Sequence, residues 1–158
     1  MYRDVNDFIE EWQQSAAGTL QVFEAMTDEK LDQAIAEGHN TLGWLAWHLT
    51  NTPVFFGQIL GLQITPAGDR AVVPTSAAEI VAAYKQVMAD VTEEAKKLSN
   101  ETLLEELPAF GTTVKKGAML RKLVDHQTHH RGQMTVLLRQ ADLAVPGIMG
   151  PTKEAQAK

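Results

Sequence analysis

Three of the chain's five histidines stand in one short stretch, Asp125-His126-Gln127-Thr128-His129-His130-Arg131-Gly132-Gln133. His126 and His130 are four residues apart. On a helix that spacing puts both imidazoles on one face, a turn apart, where they could share a metal ion. The plainer alternative is a pair of hydrogen-bonded packing histidines at a core edge. Two ligands do not complete a metal site, which normally takes three or four. His129 lies about 100° round a helix from His130, so it reads as a supporting or surface residue.

A third ligand is available at His48. It falls between Leu45 and Thr52 on the apolar face of a second helix and is flanked by Trp44 and Trp47. If the two helices pack together, His48 could face His126 and His130. Three neutral imidazoles suit zinc, nickel, iron or cobalt and leave coordination positions open. An open position can polarise a carbonyl, activate a water or hold a substrate thiolate; the catalytic group itself is not specified. Hydrogen bonds should orient the other ring nitrogens, and Asp125, Gln127, Thr52 and Asn51 are the candidates. His39 sits in a connection and is expected to face solvent.

The elements that must position these residues are helices. An apolar stripe at steps of three and four (Val5, Phe8, Ile9, Trp12, Ala16, Leu20, Phe23) predicts a first helix from about Arg3 to Met26. Asn40 or Thr41 can cap a second, over Leu42 to Leu60. Its inward positions are Leu45, His48, Leu49, Thr52, Phe55, Phe56 and Ile59, and Pro53 predicts a kink or break one turn after His48. Ser76-Ala77-Ala78-Glu79 reads as a capping box opening a third helix that ends near Ser99. Leu120, Leu123, Val124, Met134, Leu137 and Leu138 mark the buried side of a fourth, from Lys116 to Ala141. Gly132 inside it suggests close approach of another helix, across the bundle or at a dimer interface. The segment 99–115, with Pro108, Gly111 and an exposed-looking Phe110, is expected to be irregular. With no strand pattern, the fold class is all-α: a four-helix bundle with long connections that can cross the bundle or line a cleft. The expected domain is 1–150, with a frayed tail at 151–158.

Composition narrows the function classes. At 158 residues the chain can bury a core without disulfides. It has no cysteine, so any thiol chemistry must use a thiol from outside the chain. A formal charge of −6 and no large Lys/Arg cluster argue against nucleic acid as a partner. No apolar run approaches the roughly 20 residues that span a bilayer, and the first residues carry no signal-peptide pattern. The default expectation is cytoplasmic.

Trp44-Leu45-Ala46-Trp47-His48-Leu49, the stretch Leu123 to Gln133 with its H-x-x-x-H-R-G-Q signature, and then Val145-Pro146-Gly147 and Gly150-Pro151-Thr152 resemble the DinB/YfiT-like superfamily of metalloenzymes. The resemblance runs over nearly the whole chain and implies a four-helix bundle, often a homodimer. It implies a divalent metal, zinc or nickel first and iron next, bound at His48, His126 and His130. Relatives include thiol-dependent transferases using bacillithiol, mycothiol or glutathione. The implied function is therefore a low-molecular-weight-thiol S-transferase or related hydrolase acting on a small molecule. Arg131 and Arg70 are candidate cations for a thiol cofactor's carboxylates, against a plainer role as packing or surface arginines. The alternative function is a non-catalytic metal- or ligand-binding helical module.

Overall fold

The computed structural model describes residues 1–156. Its element order is α1 (Val5–Glu24), α2 (Leu42–Leu60), α3 (Ala77–Ala95), β1 (Glu106–Ala109), β2 (Thr112–Lys115), α4 (Lys116–Gln140) and α5 (Lys153–Gln156), with single 3-10 turns at Asp28–Lys30 and Thr102–Leu104. The four long helices form the expected bundle. Phe8, Trp12, Phe23, Leu49, Tyr84, Leu120 and Met134 are fully buried at its centre. Burying each large apolar side chain contributes on the order of 1.5–3 kcal/mol. Among the described residues no helix is long and apolar enough to cross a membrane.

The helices are not arranged in chain order. α1 packs against α3 and α4, and so does α2. Consecutive helices α1 and α2 are therefore diagonal, as are α3 and α4, and the connections 25–41 and 96–115 cross the bundle. That is what their length serves.

Helix starts follow local chemistry. Asp4 Oδ1 accepts the Asn6 N–H at 2.8 Å and Thr41 Oγ1 accepts the Trp44 N–H at 3.1 Å, the bonds that satisfy first-turn donors. At α3 the capping box does not form, because the Ser76 side chain makes no capping bond. Asp28, from the first 3-10 turn, takes that role and accepts the Ala77 N–H at 2.7 Å.

Pro53 does not break α2, which runs unbroken to Leu60. A proline at that position cannot donate to the carbonyl four residues back, that of Leu49. Gln127 Nε2 of α4 supplies the missing donor at 3.0 Å, and Gln127 Oε1 accepts the Tyr84 hydroxyl at 2.9 Å. All three groups are buried. The helix survives its proline because a neighbouring helix satisfies the freed carbonyl.

Other expectations need correction. The segment 99–115 is not irregular throughout: β1 and β2 pair antiparallel in the register Glu106↔Lys115 to Ala109↔Thr112. Phe110 and Gly111 turn the hairpin with positive φ of 52° and 75°, as a two-residue type I′ turn requires. Phe55 points outward rather than into the core, at 44% exposure. Among the described residues Gly132 is approached by no other element, since a Cβ there would meet no atom of one within 4 Å. The close approach occurs instead at Gly117, where a Cβ would lie 2.1 Å from the Tyr2 carbonyl oxygen. In the tail, α5 forms a short helical turn tied down by Arg139 to Glu154 at 2.7 Å. The rest of the expected frayed tail, 157 and 158, lies outside the described residues.

Candidate metal centre

α2 carries His48 and α4 carries His126 and His130, and the packing of these two helices brings the three together. Each offers a ring nitrogen within 4.8 Å of the other two, and all three residues are half-buried. His48 Nε2 and His126 Nε2 are 3.1 Å apart. Two imidazole nitrogens held ~2.0–2.1 Å from a tetrahedral zinc would be roughly 3.3 Å apart. The ring centroids of His130 lie 4.9 Å from His48 and 4.5 Å from His126. Donor type, number and spacing fit a divalent ion of the zinc class, and no fourth protein ligand of the histidine, cysteine or carboxylate kind joins the cluster among the described residues.

Protonation favours ligation. Burial, with His130, His48 and His129 adding to it, pulls the His126 pKa from 6.5 down to about 4. Burial and the adjacent His130 also lower that of His48. Both rings are neutral at pH 7, with lone pairs available.

His130 Nδ1 lies 2.8 Å from Gln133 Oε1, and Gln133 Nε2 lies 3.3 Å from His129 Nε2. With the amide oxygen toward His130 and its nitrogen toward His129, both contacts are satisfied. His130 then carries its proton on Nδ1, which leaves the Nε2 lone pair for a metal. His129 itself is exposed, as is His39. His126 Nδ1 is buried without a hydrogen-bond partner, a cost of about 1–3 kcal/mol that folds tolerate mainly at functional sites.

None of the four supporting residues expected from sequence reaches a ring nitrogen. Asp125 pairs with Arg121, Gln127 serves Leu49 and Tyr84, Thr52 Oγ1 donates to the His48 carbonyl, and Asn51 Nδ2 donates to that of Trp47. Thr52 and Gln127 therefore fix the backbone of α2 around His48 rather than its ring. Gln133 was missed, although its position three residues after His130 puts it on the same helix face. Arg131 is a packing arginine: it is buried and donates to the Ser15 carbonyl at 2.6 Å, binding α4 to α1.

The site opens on a cleft of about 600 Å3, into which His48 and His126 look. Trp44 stacks on the His48 ring at 4.9 Å and 11° and fixes its plane. Trp47 Nε1 donates to the Asp69 carbonyl at 3.0 Å. That bond holds the connection 61–76 against α2 and sets Arg70 at the mouth. Phe55, Phe56 and Phe110 cluster on another wall, with centroids 6.0–6.4 Å apart.

Comparisons with known proteins place the fold and the family. YfiT of Bacillus subtilis, described as a probable metal-dependent hydrolase with an unusual four-helix bundle topology, superposes with a TM-score of 0.66 over 87% of each chain at 20% identity. A DinB-like protein of Bacillus cereus superposes at 0.89, with 36% identity over 93% of this chain and 99% of that one. The protein YrdA of Bacillus subtilis is 37% identical over all of this chain and 95% of its own length. The sequence pattern of the DinB family matches residues 1–158, and the chain belongs to that family.

Proposed function

We propose that this protein is a metal-dependent enzyme in which His48, His126 and His130 hold one divalent ion, zinc or nickel first and iron next, and that it transfers or hydrolyses groups on a small molecule held in the adjoining cleft. The convergence of three imidazoles, two of them lining an aromatic cleft, carries this reading. A metal with only three protein ligands supplies Lewis acidity at an open position, to polarise a carbonyl or to hold a thiolate.

The chain's own residues do the rest. Gln133 keeps His130 in the ligating tautomer. Trp44 orients His48, and Thr52 and Gln127 anchor the turn of α2 that carries it. The aromatic walls exclude water around a bound substrate, which strengthens electrostatic interactions within the site. Among the described residues no carboxylate lines the cleft. With His48 and His126 engaged as ligands, no carboxylate or free imidazole lining the cleft is left as a general base. This favours a thiol, the more acidic nucleophile, and so the low-molecular-weight-thiol S-transferase over the related hydrolase.

The test loads the protein with zinc, nickel or iron and offers electrophiles and activated esters, with and without bacillithiol, mycothiol or glutathione. The expected result is turnover that needs both metal and thiol and is lost in His130→Ala. Turnover without thiol would make it a hydrolase; no metal-dependent turnover on any substrate would leave a binding module.

A further inference from the structure

We propose that the cleft beside the triad selects a small organic anion, an aromatic-sized apolar body carrying one carboxylate, with Phe110 gripping the body and Arg70 and Lys122 binding the acid. The inference rests on the site proposed above and names its substrate class. Three observations carry it.

The cleft is apolar in its walls and cationic in its charge. Arg70 and Lys122 are the charged side chains lining it among the described residues, and no carboxylate faces them. The chain as a whole is acidic, at −6, so a cleft holding only cations is a local departure from its surface. Neither cation has an ion-pair partner among the described residues, so both are available to an incoming anion. A carboxylate would give the two cations the charge-assisted hydrogen bonds they lack.

Phe110 occupies a position that a fold-only account does not explain. It is the first residue of the two-residue hairpin turn, at φ 52°, where glycine, asparagine or aspartate is the usual choice and a bulky side chain is strained. The ring is 56% exposed, so burial does not offset that strain. It lies over the cleft against Phe55 and Phe56, with Lys122 Nζ 4.5 Å from its centroid. Strain held at a binding surface is a mark of function.

The size also fits. A cleft of about 600 Å3 falls within the range of small-molecule sites, roughly 300–1,000 Å3. It far exceeds what a simple inorganic anion would need.

The experiment follows Trp44 and Trp47 fluorescence, both tryptophans lining the cleft, during titration with 4-phenylbutyrate, 4-phenylbutanamide and acetate. Zinc-loaded wild type, metal-free His48→Ala, Arg70→Ala, Lys122→Ala and Phe110→Gly are compared, with metal content measured in each. The expected result is saturable binding of phenylbutyrate, roughly tenfold weaker binding of the amide, and similar losses in Arg70→Ala and Lys122→Ala. Phe110→Gly should match or exceed wild type in thermal stability, because glycine relieves the turn, yet bind more weakly. Equal binding of acid and amide, or an unchanged affinity in Phe110→Gly, overturns the proposal. Phenylbutyrate binding that persists in protein without metal supports it even if the metal reading fails. Metal bound with no acid selectivity defeats this proposal alone.

Discussion

Gln133 does what Asp125, Gln127, Thr52 and Asn51 were expected to do: it holds the second ring nitrogen of a candidate ligand, His130. Substituting such supporting residues typically lowers metal affinity by about 10–100-fold. Gln133→Ala should therefore bind zinc more weakly by that factor while keeping its stoichiometry, read by competition with a chromophoric chelator. Unchanged affinity would reduce the His130–Gln133 contact to a surface hydrogen bond. A second expectation concerns pH. His126 titrates in the folded chain at about 4 instead of 6.5, so the unfolded chain binds more protons between those values. The metal-free protein should accordingly hold this contribution above pH 6.5 and lose it as pH falls towards 4. Thermal midpoints across that range, compared with those of His126→Gln, check the sign: the wild type should show the steeper decline. The triad was legible because helical spacing aligns His126 with His130 and sets His48 on an apolar face. Gln133 and the orphaned His126 Nδ1 were not, since which side chain reaches which ring nitrogen depends on rotamers that spacing leaves open.

At the scale of elements, the tie between α2 and α4 is the Tyr84–Gln127–Leu49 chain, created by the donor that Pro53 lacks. Gln127→Leu would leave the Leu49 carbonyl buried without a donor and take from the Tyr84 hydroxyl its Gln127 acceptor, at about 1–3 kcal/mol for a group left unsatisfied. A fall in stability of that order in chemical denaturation is expected, and a neutral effect would mean that water satisfies both groups. Gly132 offers the opposite case. With open space for a Cβ among the described residues, Gly132→Ala should stabilise the chain by about 0.5–1 kcal/mol through helix propensity. A loss instead, with a thermal midpoint that depends on protein concentration, would place Gly132 against a second copy of the chain. Helix ends were readable to within a few residues because apolar period and caps mark them: α2 begins after Thr41 and ends at Leu60 as expected. The hairpin was not readable. Its strands are four residues long, one holds Pro108, and its turn is Phe110-Gly111 rather than an asparagine–glycine pair. The capping of α3 was equally hidden, because Asp28 lies far from Ala77 in sequence.

For the whole molecule, the diagonal order of helices explains why the triad joins residues distant in the chain. α2 and α4 are neighbours in space only because two long connections cross the bundle. The apolar stripes announced four packed helices, yet each stripe is compatible with several orders around the bundle, so the topology had to come from the structure. The same arrangement leaves the triad half-buried, with His48 and His126 on a cleft wall rather than sealed in the core, as an exchanging ligand requires. A metal that binds only the folded state raises stability by mass action, about 2.7 kcal/mol at a hundredfold excess over the dissociation constant. Chelator treatment should therefore lower the thermal midpoint of metal-loaded wild type and leave that of His48→Ala unmoved.

Metal content per chain by elemental analysis, on untagged wild type and on His48→Ala and His130→Ala, tests the central claim most directly. One zinc, nickel or iron per wild-type chain, lost in both variants, is the predicted result. A wild type that takes up no metal even from excess zinc or nickel, or variants that retain a full complement, would contradict it.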